Sequence, residues 1–133
     1  MSASPEVLPK TFPNPVVKFI GVYDADGTII GEVRYVVGKL LGTASCALCD
    51  LTHGTKLKGR DDYKACAASL PVPVELFHRN DQPDIVRSLT INNLPCIVAQ
   101  REDGSLAIVI GAHDLEACNK DVDKLGVLLL AKL

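Results

Sequence analysis

The run Val16-Val17-Lys18-Phe19-Ile20-Gly21-Val22-Tyr23 constrains the fold more than any other stretch of the chain. It is β-branched and aromatic, with Lys18 as its one charged side chain. A strand with one face in water alternates apolar and polar positions, and this run has too few polar ones for that. It therefore reads as a central strand covered on both faces. A chain that buries such a strand must supply apolar helices for both sides of the sheet.

The remaining sequence supplies them. After the break Asp24-Ala25-Asp26-Gly27, a helix is expected over Thr28 to Leu41. Ile29/Ile30, Val33, Val36/Val37 and Leu40/Leu41 form its apolar stripe, Asp26 or Thr28 caps it, and Gly42 stops it. Helix propensity places a second helix over Asp61 to Leu70, ended by Pro71. Val72 to His78 reads as a strand, with Pro73 near its start. Asp84 to about Leu89 reads as a short helix with Pro83 at its first position. Leu94 to Gln100 is a third strand. The turn Glu102-Asp103-Gly104-Ser105 leads into a fourth, Leu106 to Gly111. A last helix is expected from about Asp114 toward Leu133, burying Leu115, Cys118, Val122, Leu125 and Leu129. Pro5, Pro9, Pro13 and Pro15 make residues 1–15 an extended tail. Residues 16–133 then form one α/β domain, a layered sandwich around a mixed sheet.

The charges restrict the partners. Fourteen basic against 16 acidic residues give a net charge of −2, with no basic stripe, and Trp is absent. Nucleic acid is therefore a poor partner. The start, with its prolines and no apolar run, is not a secretory signal. The most apolar stretch, Leu125 to Leu133, is too short to cross a bilayer. The expectation is a cytoplasmic protein without a membrane partner. Five cysteines are an odd number, which excludes a fully paired disulfide framework within one chain. In a reducing compartment they are thiols, metal ligands or a redox pair.

The chemistry concentrates in Thr43 to Gly54, which holds Cys46, Cys49, Asp50 and His53. Three readings stand. As a redox C-x-x-C, Cys46 attacks and Cys49 resolves, with His53 stabilising the thiolate and Asp50 opposing it. As a metal site, Cys46, Cys49 and His53 have the spacing of zinc ligands, and the fourth comes from Cys66, His78, His113 or water. As a packed turn, both cysteines are simply small buried residues. Cys66, Cys96 and Cys118 read as core, and His78 and His113 as structural residues at strand ends. Asp24 and Asp26 cap the following helix or form a weak carboxylate pair.

The order of elements, with Asn93-Leu94-Pro95 before a strand, the Asp103-Gly104 hairpin and a closing helix, resembles the thioredoxin-like fold. The resemblance covers residues 16–133. It implies a three-layer sandwich with a mixed four-stranded sheet and helices on both faces. It also implies a cis Pro95 facing the active site and a Leu94 backbone open to a bound substrate. One departure stands out: the turn Tyr23-Asp24-Ala25-Asp26 carries no cysteine, and the C-x-x-C follows the first helix instead. That helix spans roughly 20 Å, so the cysteines meet Pro95 only if residues 42–57 fold back. A closer resemblance is to small bacterial proteins of this fold carrying a Tyr-Asp/Asn-Ala turn and a Cys-x-Leu-Cys-x-Leu-Thr-x-Gly segment. It brings no activity with it. The resulting expectation is a thiol–disulfide redox protein or redox sensor using Cys46, Cys49 and His53. Leu94, Pro95, Tyr23 and Asp24 would meet a protein or small thiol/disulfide substrate, and no cofactor is required. The competing expectation is a non-catalytic module whose cysteine loop is stapled by zinc or packed against a partner. Both are compatible with a homo-oligomer.

Overall fold

The computed structural model describes residues 14–24, 47–52 and 60–133. Its elements in chain order are β1 (Val16–Val22), α1 (Ala47–Thr52), α2 (Asp61–Ser69), β2 (Val74–Phe77) and α3 (Asp84–Thr90). β3 (Cys96–Arg101), β4 (Leu106–Ile110), α4 (Ala112–Ala117) and α5 (Val122–Ala131) complete them. The expected helix over 28–41 and the tail up to residue 13 lie outside the described residues.

The four strands form one mixed, open sheet in the order β2-β1-β3-β4. β1 runs parallel to β2 and antiparallel to β3, and β3 runs antiparallel to β4. β1 is thus the central strand its composition called for. Its side chains divide between two cores, as the two-residue period of a strand requires. Phe19 and Tyr23 join Leu48 and Leu51 of α1, Tyr63 of α2, Leu115 of α4 and Leu125 and Leu129 of α5. Ile20 and Val22 join Cys96 and Val98 of β3 and, from α3, Val86 and Leu89 on the other face. Helices therefore cover the sheet on both sides.

Gly21, on the Phe19 and Tyr23 face of β1, permits close packing there. A Cβ built there falls 2.8 Å from Leu76 Cδ2 and 3.3 Å from Leu48 Cδ2. Leu76 of β2 and Leu48 of α1 both close on the strand at this point, and a larger residue would crowd Leu76 first and Leu48 next.

Several elements differ from expectation. β2 covers Val74–Phe77 rather than 72–78 because Pro71 and Pro73 have no N–H for the ladder. Pro73 still contributes its carbonyl, which accepts from Phe19 N at 2.9 Å. Pro83 has ψ 147°, so it is the residue before α3 rather than its first helical one. The turn behaves as read: Gly104 has φ +88° and donates to the Arg101 carbonyl at 2.8 Å. The largest correction concerns the last helix, which is two helices. Asn119 and Lys120 have φ of 51° and 64°, left-handed backbone that a continuous right-handed helix cannot contain. Asp121 then restarts the chain as the cap of α5, its Oδ1 accepting from Asp123 N at 2.9 Å. The whole expected stripe is nevertheless buried, because α4 and α5 pack on the same core.

Chain entry is fixed at the β3–β4 turn. The Asn14 carbonyl accepts from Arg101 Nη1 at 3.0 Å, and the Pro15 carbonyl accepts from Glu102 N at 2.9 Å.

Candidate functional site

The register brings three chain-distant segments to one end of the sheet. Val22 pairs with Phe77 on one side and with Cys96 on the other. The residues one step beyond are therefore Tyr23, His78 and Pro95, at the carboxyl ends of the two parallel strands and the amino end of β3. In open α/β sheets ligands bind in the crevice outside the carboxyl ends of the strands.

Tyr23 is 3% exposed and continues the ladder, its N–H donating to the Phe77 carbonyl at 2.9 Å. Its ring meets that of His78 at a centroid distance of 5.1 Å and a tilt of 54°. His78 Nδ1 lies 3.1 Å from Asp81 Oδ2, and the other oxygen of that carboxylate accepts the His78 backbone N–H at 2.6 Å. Asp24 is paired with Arg79 at 3.3 Å, with both side chains nearly half exposed. Such a pair contributes little stability. The Leu94–Pro95 peptide bond is cis. Pro95 is buried, and Leu94 packs with Cys96 on the α3 face.

The cysteine segment comes to the same strand. Thr52, at the end of α1, has its Oγ1 2.9 Å from the Tyr23 hydroxyl and 2.9 Å from the Leu48 carbonyl. One threonine proton cannot serve both. With Thr52 donating to the carbonyl, the tyrosine O–H donates to Thr52. Cys49 lies one turn before Thr52, is 6% exposed and belongs to the Tyr23 core. α1 also packs against α4, which begins just past the end of β4. Arg60 N donates to the Thr52 carbonyl at the end of α1 at 2.7 Å. Arg60 in turn grips Asp62 through two nitrogens and donates to the Lys120 carbonyl at the α4–α5 break.

Cys46 and His53, the expected attacking thiol and its partner, lie outside the described residues. The same holds for two of the three expected zinc ligands. Among the described residues no three His, Cys, Asp or Glu side chains stand together as a metal cage. The suggested fourth ligands occupy separate places. His78 faces Tyr23, His113 opens α4, and Cys66 Sγ sits 3.1 Å from a Cβ built on Gly126 at the α2–α5 seam.

The other thiols are held protonated. Burial pushes Cys96, with no exposed surface, up to about 11. Burial also raises Cys66, reinforced by the charges of Asp123 and Asp62. Cys118 is raised chiefly by burial, against the opposing pull of Lys124, and its Sγ donates to the Asp114 carbonyl at 3.5 Å. Cys96 and Cys118 are core residues as their sequence context suggested, while Cys66 is only partly buried at the edge of the core.

Sequence reasoning placed Tyr23, Asp24, Leu94 and Pro95 at this end of the sheet. The sequence reads His78 as a structural residue or a fourth zinc ligand and assigns no partner to Arg79 or Thr52. The His78-to-Asp81 spacing is a local turn signal that was available. The Asp24–Arg79 and Tyr23–Thr52 pairings span separate elements and have no local signal. No helix among the described residues is long and apolar enough to cross a membrane. Comparison with family models, with curated proteins and with solved structures finds no match, so fold and site rest on this chain's own geometry.

Proposed function

We propose that the protein is a thioredoxin-like thiol–disulfide redox protein of a reducing compartment such as the cytoplasm, with Cys46 attacking and Cys49 resolving. The observation that carries this reading is the docking of α1 on β1. The Thr52–Tyr23 hydrogen bond and the Leu48–Gly21 contact bring the cysteine segment to the carboxyl end of the central strand. This seating of Cys49's helix beside Tyr23 supports a cysteine pair working at that end of the sheet. The mixed four-stranded sheet in the order β2-β1-β3-β4, with helices on both faces, supports the fold part of this reading.

In the reaction the Cys46 thiolate attacks one sulfur of a substrate disulfide, forming a mixed disulfide and releasing one substrate thiolate. Cys49 gives up its proton and attacks Cys46 Sγ. The Cys46–Cys49 bond forms and the second substrate thiolate leaves. Two cysteines are oxidised and one disulfide is reduced. At 6% exposure Cys49 is sheltered from external disulfides, which suits the resolving role. The same burial favours the second reading, a non-catalytic module with a packed or zinc-stapled loop.

Incubation of Cys49→Ser with glutathione disulfide separates the two. The redox reading expects a stable mixed disulfide on Cys46, and none in Cys46→Ser. Unmodified Cys46 in Cys49→Ser, or thiols shielded by stoichiometric zinc, would remove the redox reading in favour of the module.

A further inference from the structure

Away from the thiol site, α4 and α5 leave an apolar groove of about 300 Å³ on the surface. Its walls are Asp114, Ala117 and Cys118 from the α4 side and Lys124, Val127 and Leu128 from α5. Beside it stands a ridge: Val127 is 66% and Leu130 54% exposed, one helical turn apart. Single exposed apolar residues are ordinary, but a ridge next to an apolar groove marks a contact surface. The rim carries one acid and one base, and among the described residues neither Asp114 nor Lys124 pairs with an opposite charge.

A two-fold interface uses one patch twice, so that patch must contain both halves of every contact. This face holds a ridge and a groove, and a lone carboxylate and a lone ammonium. We propose that it is the interface of a homodimer. The Val127–Leu130 ridge of each copy enters the groove of the other, and Lys124 of each meets Asp114 of the other. A foreign partner needs only one half of each complement; a second copy of this chain accounts for both.

Sedimentation velocity of the full chain from micromolar to submillimolar concentration tests this, with circular dichroism as the check on folding. The wild type is expected to show a concentration-dependent dimer, and Val127→Glu to be monomeric throughout. Leu130→Glu is the second apolar variant should the first fold poorly. Asp114→Lys sets lysines against each other and should weaken the dimer at least tenfold. Asp114→Lys combined with Lys124→Asp restores the pairing and should recover most of that loss. A wild type that stays monomeric overturns the proposal, and so does a dimer indifferent to both glutamate variants. A dimer sensitive to Val127→Glu but not to Asp114→Lys overturns the charge-paired arrangement.

Discussion

The Tyr23 hydroxyl sits in the core and meets Thr52 Oγ1, a contact made across two elements. Tyr23→Phe keeps the ring and removes the bond, while Thr52 retains the Leu48 carbonyl. The expected cost is about 1 kcal/mol in urea unfolding. Under the redox reading, Cys49→Ser/Tyr23→Phe forms its glutathione adduct at Cys46 at a different rate from Cys49→Ser alone. Cys96 gives a pH signature. Its ordinary value is 9.0 and burial raises it to about 11. Between those values the unfolded chain has lost the proton that the folded chain still holds. Stability therefore falls with rising pH, by about 1.4 kcal/mol per unit from this group. Cys66 and Cys118 are raised as well and act in the same direction, and Tyr63, raised to about 12, joins above pH 10. Urea midpoints at pH 8, 9 and 10 should fall in the wild type. In Cys96→Ala they should start lower and fall less steeply. At this scale the sequence was informative where a residue type has few roles, as with the buried cysteines Cys96 and Cys118, while the cis bond before Pro95 was expected only from the fold resemblance. The sequence was silent on Arg79 and Thr52 and on the pairing of His78 with Tyr23, all of which depend on neighbours brought in by the fold.

Among elements, the contact of α1 with β1 and the break between α4 and α5 decide the arrangement. Gly21→Val would push branched methyls into Leu48 and Leu76, an overpacking cost of about 1–3 kcal/mol. Gly21→Ala should cost less, because Leu76 Cδ2 is the end of a rotatable side chain. Both are read from thermal or urea unfolding. Trimming the tighter neighbour, as in Leu76→Ala/Gly21→Val, should cost less than the sum of the two single variants, whereas additive costs would contradict the crowding at Gly21. The α4–α5 break was hidden from periodicity because the buried residues keep helical spacing across it. Its signals were chemical: an asparagine that tolerates left-handed backbone, followed by an aspartate able to cap. Asp121→Ala should cost about 1 kcal/mol of stability, measured by urea unfolding, while leaving the redox chemistry unchanged.

For the whole molecule, one strand buried on both faces organises two cores, and its carboxyl end gathers Tyr23, His78, Pro95 and the helix bearing Cys49. The mixed α/β class was legible because β1 is apolar throughout and strands alternate with helical stripes. The seating of the cysteine helix was not, because it depends on tertiary contacts at Gly21 and Tyr23 rather than on any pattern within residues 43–54. Under the proposed function this seating serves a redox pair. The most direct test is the intact mass of the full chain, purified without chelator and equilibrated with glutathione disulfide, together with its metal content. A redox pair loses two hydrogens, mapped by digestion to Cys46–Cys49 and reversed by dithiothreitol. Stoichiometric zinc with protected thiols, or Cys46 and Cys49 both still reduced at equilibrium, would contradict the redox reading.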